Sequence, residues 1–501
     1  MDESATPMSA VSSCADTSTS SCAETSTVSL RENVLAGPRA DMAVSDEVDG
    51  NPLSVLATPA KVTAALAAAG FSDKCRGLLP GGVTTVLVVG LCLYCGQGYP
   101  DVIARLWPLL GAFNPAIVLS APVTPVALSQ ARGRLPARVL QRLFEAGAGF
   151  GDLTLVSGSL LFGLVVTAVD GTVFDLAATD AIRERFATPS GGRFPQARVV
   201  TLVVCGTRRV LAAVLDSCAV REQALWDRLV AQLTPGTLNL ADRGFFSMHR
   251  WRTAAATGAH LIWRVKNGTG SLPATVLATR PDGSQLVRLR ESDAMLARRR
   301  KTTGDPRAVR LADITARLVE FIVTVTDEAG RTRISTFRVL TTLLDHEAYP
   351  ATEIARAYAR RWQVELTYKS IKSTLRGGNR RLRGQAPDLA EQEIWGLLAV
   401  YNTLVDQAVA SAVDLGIDPH QISFTTVLRA VRDHLTSQAP CPGCGHHPDR
   451  ADLTAAITAG PRNRTDRQRT APRTTKDRQT EHTRNVTYTI TITESNLPRA
   501  A

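Results

Sequence analysis

The stretch Ala357–Gly377, AYARRWQVELTYKSIKSTLRG, decides how the rest of the chain is read. No Pro or Gly interrupts it before the pair Gly377-Gly378, so the pattern predicts one helix stopped by those glycines. Tyr358, Arg361, Glu365 and Lys372 follow at intervals of three, four and seven residues, which at 3.6 residues per turn sets all four on one stripe. A hydroxyl, a guanidinium, a carboxylate and an ammonium suit a core poorly, because charged groups are seldom buried unpaired. A solvated face carrying an Arg361–Glu365 ion pair explains the stripe equally well on charge pattern alone. The remainder of the chain has to choose.

Upstream of this helix the pattern is that of a mixed α/β fold. Leu160–Val169 (LLFGLVVTAV) is a strand-length apolar run expected to end at Asp170-Gly171-Thr172, with Val173–Leu176 as a return strand. Residues 198–205 and 209–215 read as β-rich runs, and 221–233 as a helix with Leu225, Leu229 and Leu233 on one face. Leu238–Ala241 is a short strand ending at Asp242-Arg243-Gly244. A helix near 247–257 and a strand at 259–265 follow. Residues 267–333, with the basic run Arg298–Lys301, are too long for a structureless loop and read as a β-rich insertion. A strand at 338–344 then restores the sheet. Asp170 and Asp242 thus stand at strand ends, and Glu365 lies on the helix after the last strand. Three carboxylates converging from those places need a counter-charge. Two Mg²⁺ or Mn²⁺ ions would supply it, one activating a water or 3′-hydroxyl and the other stabilising the leaving oxygen of a phosphodiester. Taken singly, Asp-Gly-Thr and Asp-Arg-Gly are also good turn sequences. Asp175, five residues on, rivals Asp170, whose strand-end position favours it.

Composition frames this reading. The chain has 501 residues, 44% hydrophobic content and a formal charge of +11, with a pI near 9.5, so a polyanionic partner is the default. No membrane span is expected: the longest apolar run, Val83–Cys95, is short and broken by Gly90. Nine irregularly spaced cysteines point to a reducing cytoplasm. Residues 1–62 read as a disordered acidic Ser/Thr-rich arm. Residues 63–155 read as a helical domain, in which Ser129, Gln130, Arg132, Arg134 and Arg138 form a cationic face on two short helices; a DNA-binding module fits, and an ordinary helical hairpin has the same signature. The catalytic core is expected over 156–266 and 334–436, and a basic tail over 437–501, whose arginines Arg462, Arg464, Arg467, Arg469, Arg473 and Arg478 suit DNA phosphates. Cys441-x2-Cys444 with His446 and His447 has half of a zinc site's spacing. Cys92-x2-Cys95 sits in an apolar helix and reads as core.

Asp170 in AVDGTVFDL, Asp242 in LADRGFF and the spacing Tyr358-x2-Arg361-x3-Glu365-x6-Lys372 together resemble the DDE transposases of the insertion-sequence-four family. The match covers about 160–403, and 79–145 looks like the family's N-terminal domain. The resemblance implies an α/β fold with an RNase H-like catalytic core, a β-rich insertion, a helical N-terminal domain and cut-and-paste transposition of a DNA element with terminal inverted repeats. It implies that Asp170, Asp242 and Glu365 bind the metals while Tyr358, Arg361 and Lys372 hold phosphates, with Arg243 aiding position. It also implies double-stranded DNA as partner, a homodimer on DNA and a cytoplasmic, nucleoid-associated location. Some relatives cleave through a hairpin and stack a flipped base on a tryptophan in the insertion, but 267–333 contain none. Trp263 and Trp362 stand nearest, and core packing is the expectation for both. The rivals are a decayed or domesticated DNA-binding copy and an RNase H-like nuclease that cleaves without joining.

Overall fold

The computed structural model describes residues 52–74, 77–150, 156–267, 272–326, 330–378, 381–436, 450–463 and 487–499. The acidic arm up to residue 51, the Cys441–His447 group and the arginines from 464 to 478 lie outside these.

The sheet is built around β2 (Leu164–Asp175). β1 (Leu160–Leu161) folds back on it through Phe162-Gly163, both at positive φ, as a two-residue hairpin matching the strand twist requires. Phe162 is held in that conformation by an edge-on contact with Tyr349 at 5.0 Å. After α6 (Asp180–Arg185), β3 (Gln196–Val204) runs antiparallel to β2, and β4 (Val210–Ser217) antiparallel to β3. On the other side β5 (Thr237–Ala241) pairs parallel with β2, and β6 (His260–Arg264) parallel with β5. The order β4-β3-β2-β5-β6, three antiparallel strands followed by two parallel ones, is an RNase H-like sheet.

Two expectations fail in β2. The run from Leu160 is interrupted by the hairpin, and Asp170-Gly171-Thr172 is no turn: β2 continues unbroken to Asp175 and pairs β3 throughout, so Val173–Leu176 is no return strand. The glycine serves packing instead. A Cβ on Gly171 would lie 1.9 Å from Glu222 Oε1, so the Glu222 side chain crosses the strand where Gly171 leaves room.

The insertion extends this sheet. β7 (Ala274–Thr279), β8 (Gln285–Leu289), β9 (Ile314–Thr326) and β10 (Thr332–Thr341) pair antiparallel in sequence, and β10 pairs with β6. A boundary at 333/334 therefore falls inside a strand. The basic run is helical, on α9 (Asp293–Thr303), whose Ser292 cap accepts from the Met295 N–H. Residues 437–501 are more than a tail: β11 (Thr487–Thr493) pairs with β9, in line with β8.

The two faces of the sheet feed two cores. Val165 and Val169 of β2 join Trp226, Trp251 and Trp263 beneath α7 (Glu222–Leu229) and α8 (Met248–Ala255). Trp263 is thus core, donating to Asn239 Oδ1 at 3.0 Å. Val166 and Ala168 join the larger helical core, as the period of two requires. That core contains α1 (Pro59–Ala68), α2 (Gly81–Leu93), α3 (Tyr99–Leu106), α4 (Pro125–Arg134) and α5 (Ala137–Gly147), so the N-terminal helices share a core with the sheet. Arg132 is buried in it rather than on an exposed cationic face, and Cys92 and Cys95 are buried as expected. The pillar is α12 (Pro387–Asp414), which touches α2 closely because Gly396 has no Cβ; one would stand 2.7 Å from Cys92 Sγ. Gln392 donates to the Arg132 carbonyl at 2.9 Å, and Asn402 exchanges two hydrogen bonds with the Val210 backbone at 3.0 and 2.8 Å. α12 is apolar enough in length and composition to cross a membrane, yet 67% of its apolar window is buried in the fold. α13 (Phe424–Thr436) and α14 (Arg450–Ala459) pack against it.

Candidate active site

Strand register, rather than proximity in sequence, assembles the site. Ala168 on β2 lies beside Leu240 on β5, and Leu240 beside Ile262 on β6. Two residues along each strand direction, the same row holds Asp170, Asp242 and Arg264. By the period of two they share the face of Ala168, Leu240 and Ile262, which belong to the core that also takes Ile354, Tyr358 and Val364. Each aspartate accepts from the following backbone N–H: Gly171 N to Asp170 Oδ1 at 2.9 Å and Arg243 N to Asp242 Oδ1 at 2.7 Å.

Over this row runs the signature segment, which is not one uniform helix. α10 (Ala351–Ala359) and α11 (Trp362–Lys369) meet at a tightened turn, where Arg360, Arg361, Gln363 and Val364 donate three residues back. Residues Ser370–Leu375 then widen into π-helix, and the Arg376 N–H donates five residues back to Ile371 at 3.0 Å. Such tight and wide turns inside a helix are frequent at functional sites. Arg361 and Lys372 then reach different points of β2, Asp170 and the Val173 carbonyl, while Tyr358 packs beside Phe337 of β10.

Arg361 lies between two carboxylates, 3.1 Å from Glu365 Oε1 and 3.5 Å from Asp170 Oδ2, with all three side chains about five-sixths buried. The ion pair of the solvated-face reading exists, but it is buried and shared with the central strand. Burial alone would lower the Arg361 pKa; the carboxylates of Asp170, Asp242 and Glu365 push it up and prevail. One guanidinium thus feels all three carboxylates. Asp242 is more open and has Arg264 at 4.0 Å, whose guanidinium lies over the Phe337 ring at 4.5 Å. Tyr358 is buried, and its hydroxyl has no well-formed hydrogen bond among the described residues. Burial pushes its pKa well up, so it remains a neutral donor. Lys372 reaches β2, donating to the Val173 carbonyl at 2.9 Å and approaching Thr172 Oγ1 at 3.5 Å. Arg243 is exposed beside Asp242. Asp175, five residues from Asp170, points to the opposite face and accepts from Gln196 at 2.8 Å. Trp362 is half-buried at the start of α11.

Sequence reasoning missed three residues here. Tyr368 donates to the Asp170 carbonyl at 2.5 Å and bonds Thr201 Oγ1 at 2.8 Å, fixing the backbone under the first carboxylate. Glu222 covers Gly171. Arg264 was findable once two parallel strands were aligned; Tyr368 and Glu222 had no signal in one sequence.

Among the described residues no three His, Cys, Asp or Glu side chains stand together as a ready metal cluster. The donor chemistry nevertheless fits a hard cation, because carboxylate oxygens are the ligands such ions take. A cation already occupies the position between Asp170 and Glu365, in the form of the Arg361 guanidinium.

An RNase H-like sheet with carboxylates on its central strands defines a class, the enzymes that transfer phosphoryl groups of nucleic acids. Comparison with known proteins narrows it. Residues 161–403 match the family described as transposase DDE domain, and 51–145 the insertion element 4 transposase N-terminal domain. The chain belongs to the DDE transposases of the insertion-sequence-four family. It is 28% identical over 438 residues to the transposase InsG for insertion sequence element IS4 of Escherichia coli (strain K12), covering 85% of this chain and 93% of that one. A piggyBac transposase, solved by cryo-EM as a synaptic complex with hairpin DNA, is similar at a TM-score of 0.40 and 9% identity, over 82% of this chain and 85% of that one. The chain is therefore a DNA transposase, an enzyme acting on DNA, from a family that uses divalent metal ions.

Proposed function

We propose that this transposase cuts the ends of its own insertion sequence at the Asp170, Asp242 and Glu365 site and joins the freed 3′-hydroxyls to target DNA. The observation that supports this most is the cross-strand row of Asp170 and Asp242, with Arg361 pairing Asp170 with Glu365. Two Mg²⁺ or Mn²⁺ ions held by these carboxylates would activate a water for the cut and the freed 3′-hydroxyl for the joining, and stabilise the leaving 3′-oxygen in each. The chain's own residues do the rest. Arg361 and Arg264 neutralise the carboxylates before DNA arrives, and Arg361 then turns its fork to the phosphate, for which its geometry is suited. Tyr358 offers a buried, unionised hydroxyl beside that position. Lys372 supplies a point charge further along β2, and Arg243 a contact on the open side of Asp242. The DNA recognised is the element's terminal inverted repeats. Holding two ends at once makes a homodimer on DNA the working unit, in the cytoplasm at the nucleoid.

The test is incubation of the protein with duplexes carrying the element's ends and supercoiled target, in Mg²⁺, Mn²⁺ or EDTA. Metal-dependent nicks at the ends and joined products are expected. Nicks without joined products would favour the nuclease reading, and binding with neither a DNA-binding copy.

A further inference from the structure

One turn beyond Lys372 lies a cavity of about 420 Å³ that the chemistry above does not use. Its walls are the loop Cys95–Tyr99 that leads into α3, Glu393 of α12 and three residues near the end of the signature helix and after it. Three arginines line it, Arg376, Arg381 and Arg383. Arg376 forms the floor. It is 5% exposed, yet among the described residues its Nε and Nη1 find no hydrogen-bond acceptor, and Nη2 has the Gly378 carbonyl at 3.4 Å. A buried cation with two idle donors is costly unless a partner arrives. Arg383 ties the two walls together by donating to the Cys95 and Tyr94 carbonyls. Arg381 stands exposed at the mouth, its guanidinium over the Phe194 ring at 4.5 Å. The one carboxylate in the lining, Glu393, is engaged, accepting from the Arg383 N–H at 2.7 Å and the Gly384 N–H at 3.3 Å.

The position adds to the argument. Arg376 and Lys372 both lie against the Phe174 ring, at 5.4 and 5.8 Å. Phe174 is four residues beyond Asp170 on β2, roughly 13 Å at ~3.3 Å per residue. Arg361, Lys372 and Arg376 therefore form a cationic line leading away from the carboxylates and ending in the cavity.

We infer that this cavity is a second phosphate site, which takes a backbone phosphodiester of the DNA strand whose scissile bond lies at the carboxylates. It rests on the transposase reading and deepens it. Arg376 supplies buried donors that a phosphate oxygen satisfies, Arg381 closes over the outer oxygens, and Arg383 keeps the walls in place. Arginine suits the task because its guanidinium stays charged even when buried.

The test measures the affinity of the full chain for a duplex bearing the element's end over a series of KCl concentrations. Wild type is compared with Arg376→Met, which removes the charge at similar volume, and with Arg381→Gln at the exposed mouth. Each variant is expected to lower the slope of log K against log [KCl] by about one, and to weaken binding about eightfold at 0.1 M salt. Arg376→Met without DNA is expected to melt no lower than wild type, because burial costs this charge more than the Glu393 carboxylate returns. Wild-type slopes in both variants would overturn the inference. So would an Arg376→Met that melts lower while Arg381→Gln keeps the wild-type slope, which would make Arg376 structural. Inorganic phosphate at constant ionic strength separates the two sources of the anion: if it raises the melting temperature of wild type but not of Arg376→Met, and DNA slopes do not change, the site serves free phosphate and the DNA assignment fails. Wild type that binds the duplex with these slopes but cuts nothing in Mg²⁺ would count against the transposition chemistry, not against this site.

Discussion

Arg361→Ala tests the electrostatic design of the site. In the free protein this guanidinium is the cation between Asp170 and Glu365, at 3.5 and 3.1 Å, with each side chain about 16% exposed. Removing one member of a buried ion pair costs about 3–5 kcal/mol, because the remaining charge stays desolvated. Both carboxylates here keep some contact with water, which places the expected loss near the lower end, about 3 kcal/mol. A divalent cation should restore most of it in the variant: binding at a hundred times its dissociation constant stabilises by about 2.7 kcal/mol. Wild type should gain less, since there the metal has to displace the guanidinium first. The assay is urea unfolding followed by tryptophan fluorescence, in EDTA and in saturating Mg²⁺, for both proteins. An unchanged midpoint for Arg361→Ala in EDTA, or equal Mg²⁺ stabilisation of both proteins, would refute the reasoning.

Tyr368→Phe deletes the hydroxyl that holds the Asp170 carbonyl and Thr201; leaving buried partners unsatisfied should cost about 1–3 kcal/mol in urea unfolding and slow end cleavage by misplacing Asp170. Gly171→Ala should impair cleavage by forcing the Glu222 carboxyl out of a position 1.9 Å from the new Cβ, and Gly171→Ala with Glu222→Ala should recover cleavage in the same assay. Acid should loosen the insertion through Glu291, whose carboxyl is held down to about 2 from 4.5, chiefly by hydrogen bonds from Arg299 at 2.9 Å. Because the folded value is the depressed one, its contribution is full above the unfolded value and fades as pH falls from about 4.5 to about 2. Glu291→Gln should flatten the pH dependence of unfolding in that window, read by circular dichroism.

What was legible in the sequence followed from local chemistry, and what was not depended on register. The apolar runs gave β3, β5 and β6 within a residue or two, whereas nothing local says that β11 near the C-terminus has β9 as its partner. The spacing of Tyr358, Arg361, Glu365 and Lys372 marked the site, but not the tight turn and π-helix that break the helix between them. Asp-Gly-Thr misled because its residues are those of turns; here the missing side chain makes room for Glu222 instead. The charge pattern offers Arg361 either an exposed pair with Glu365 or a DNA phosphate; in the free protein it is buried between Glu365 and Asp170, a partner only the fold supplies. Tyr368 reads as one more core aromatic, and only the packing of α11 on β2 gives its hydroxyl a role.

The most direct measurement of the central claim is end cleavage in Mg²⁺ by Asp170→Asn, Asp242→Asn and Glu365→Gln, with Asp175→Asn as the control on the opposite face of β2. The account predicts that the first three bind the element's ends but do not cut them, while Asp175→Asn cuts at close to the wild-type rate. Cutting at the wild-type rate by any of the first three, or its loss in Asp175→Asn with the fold intact, would contradict the account.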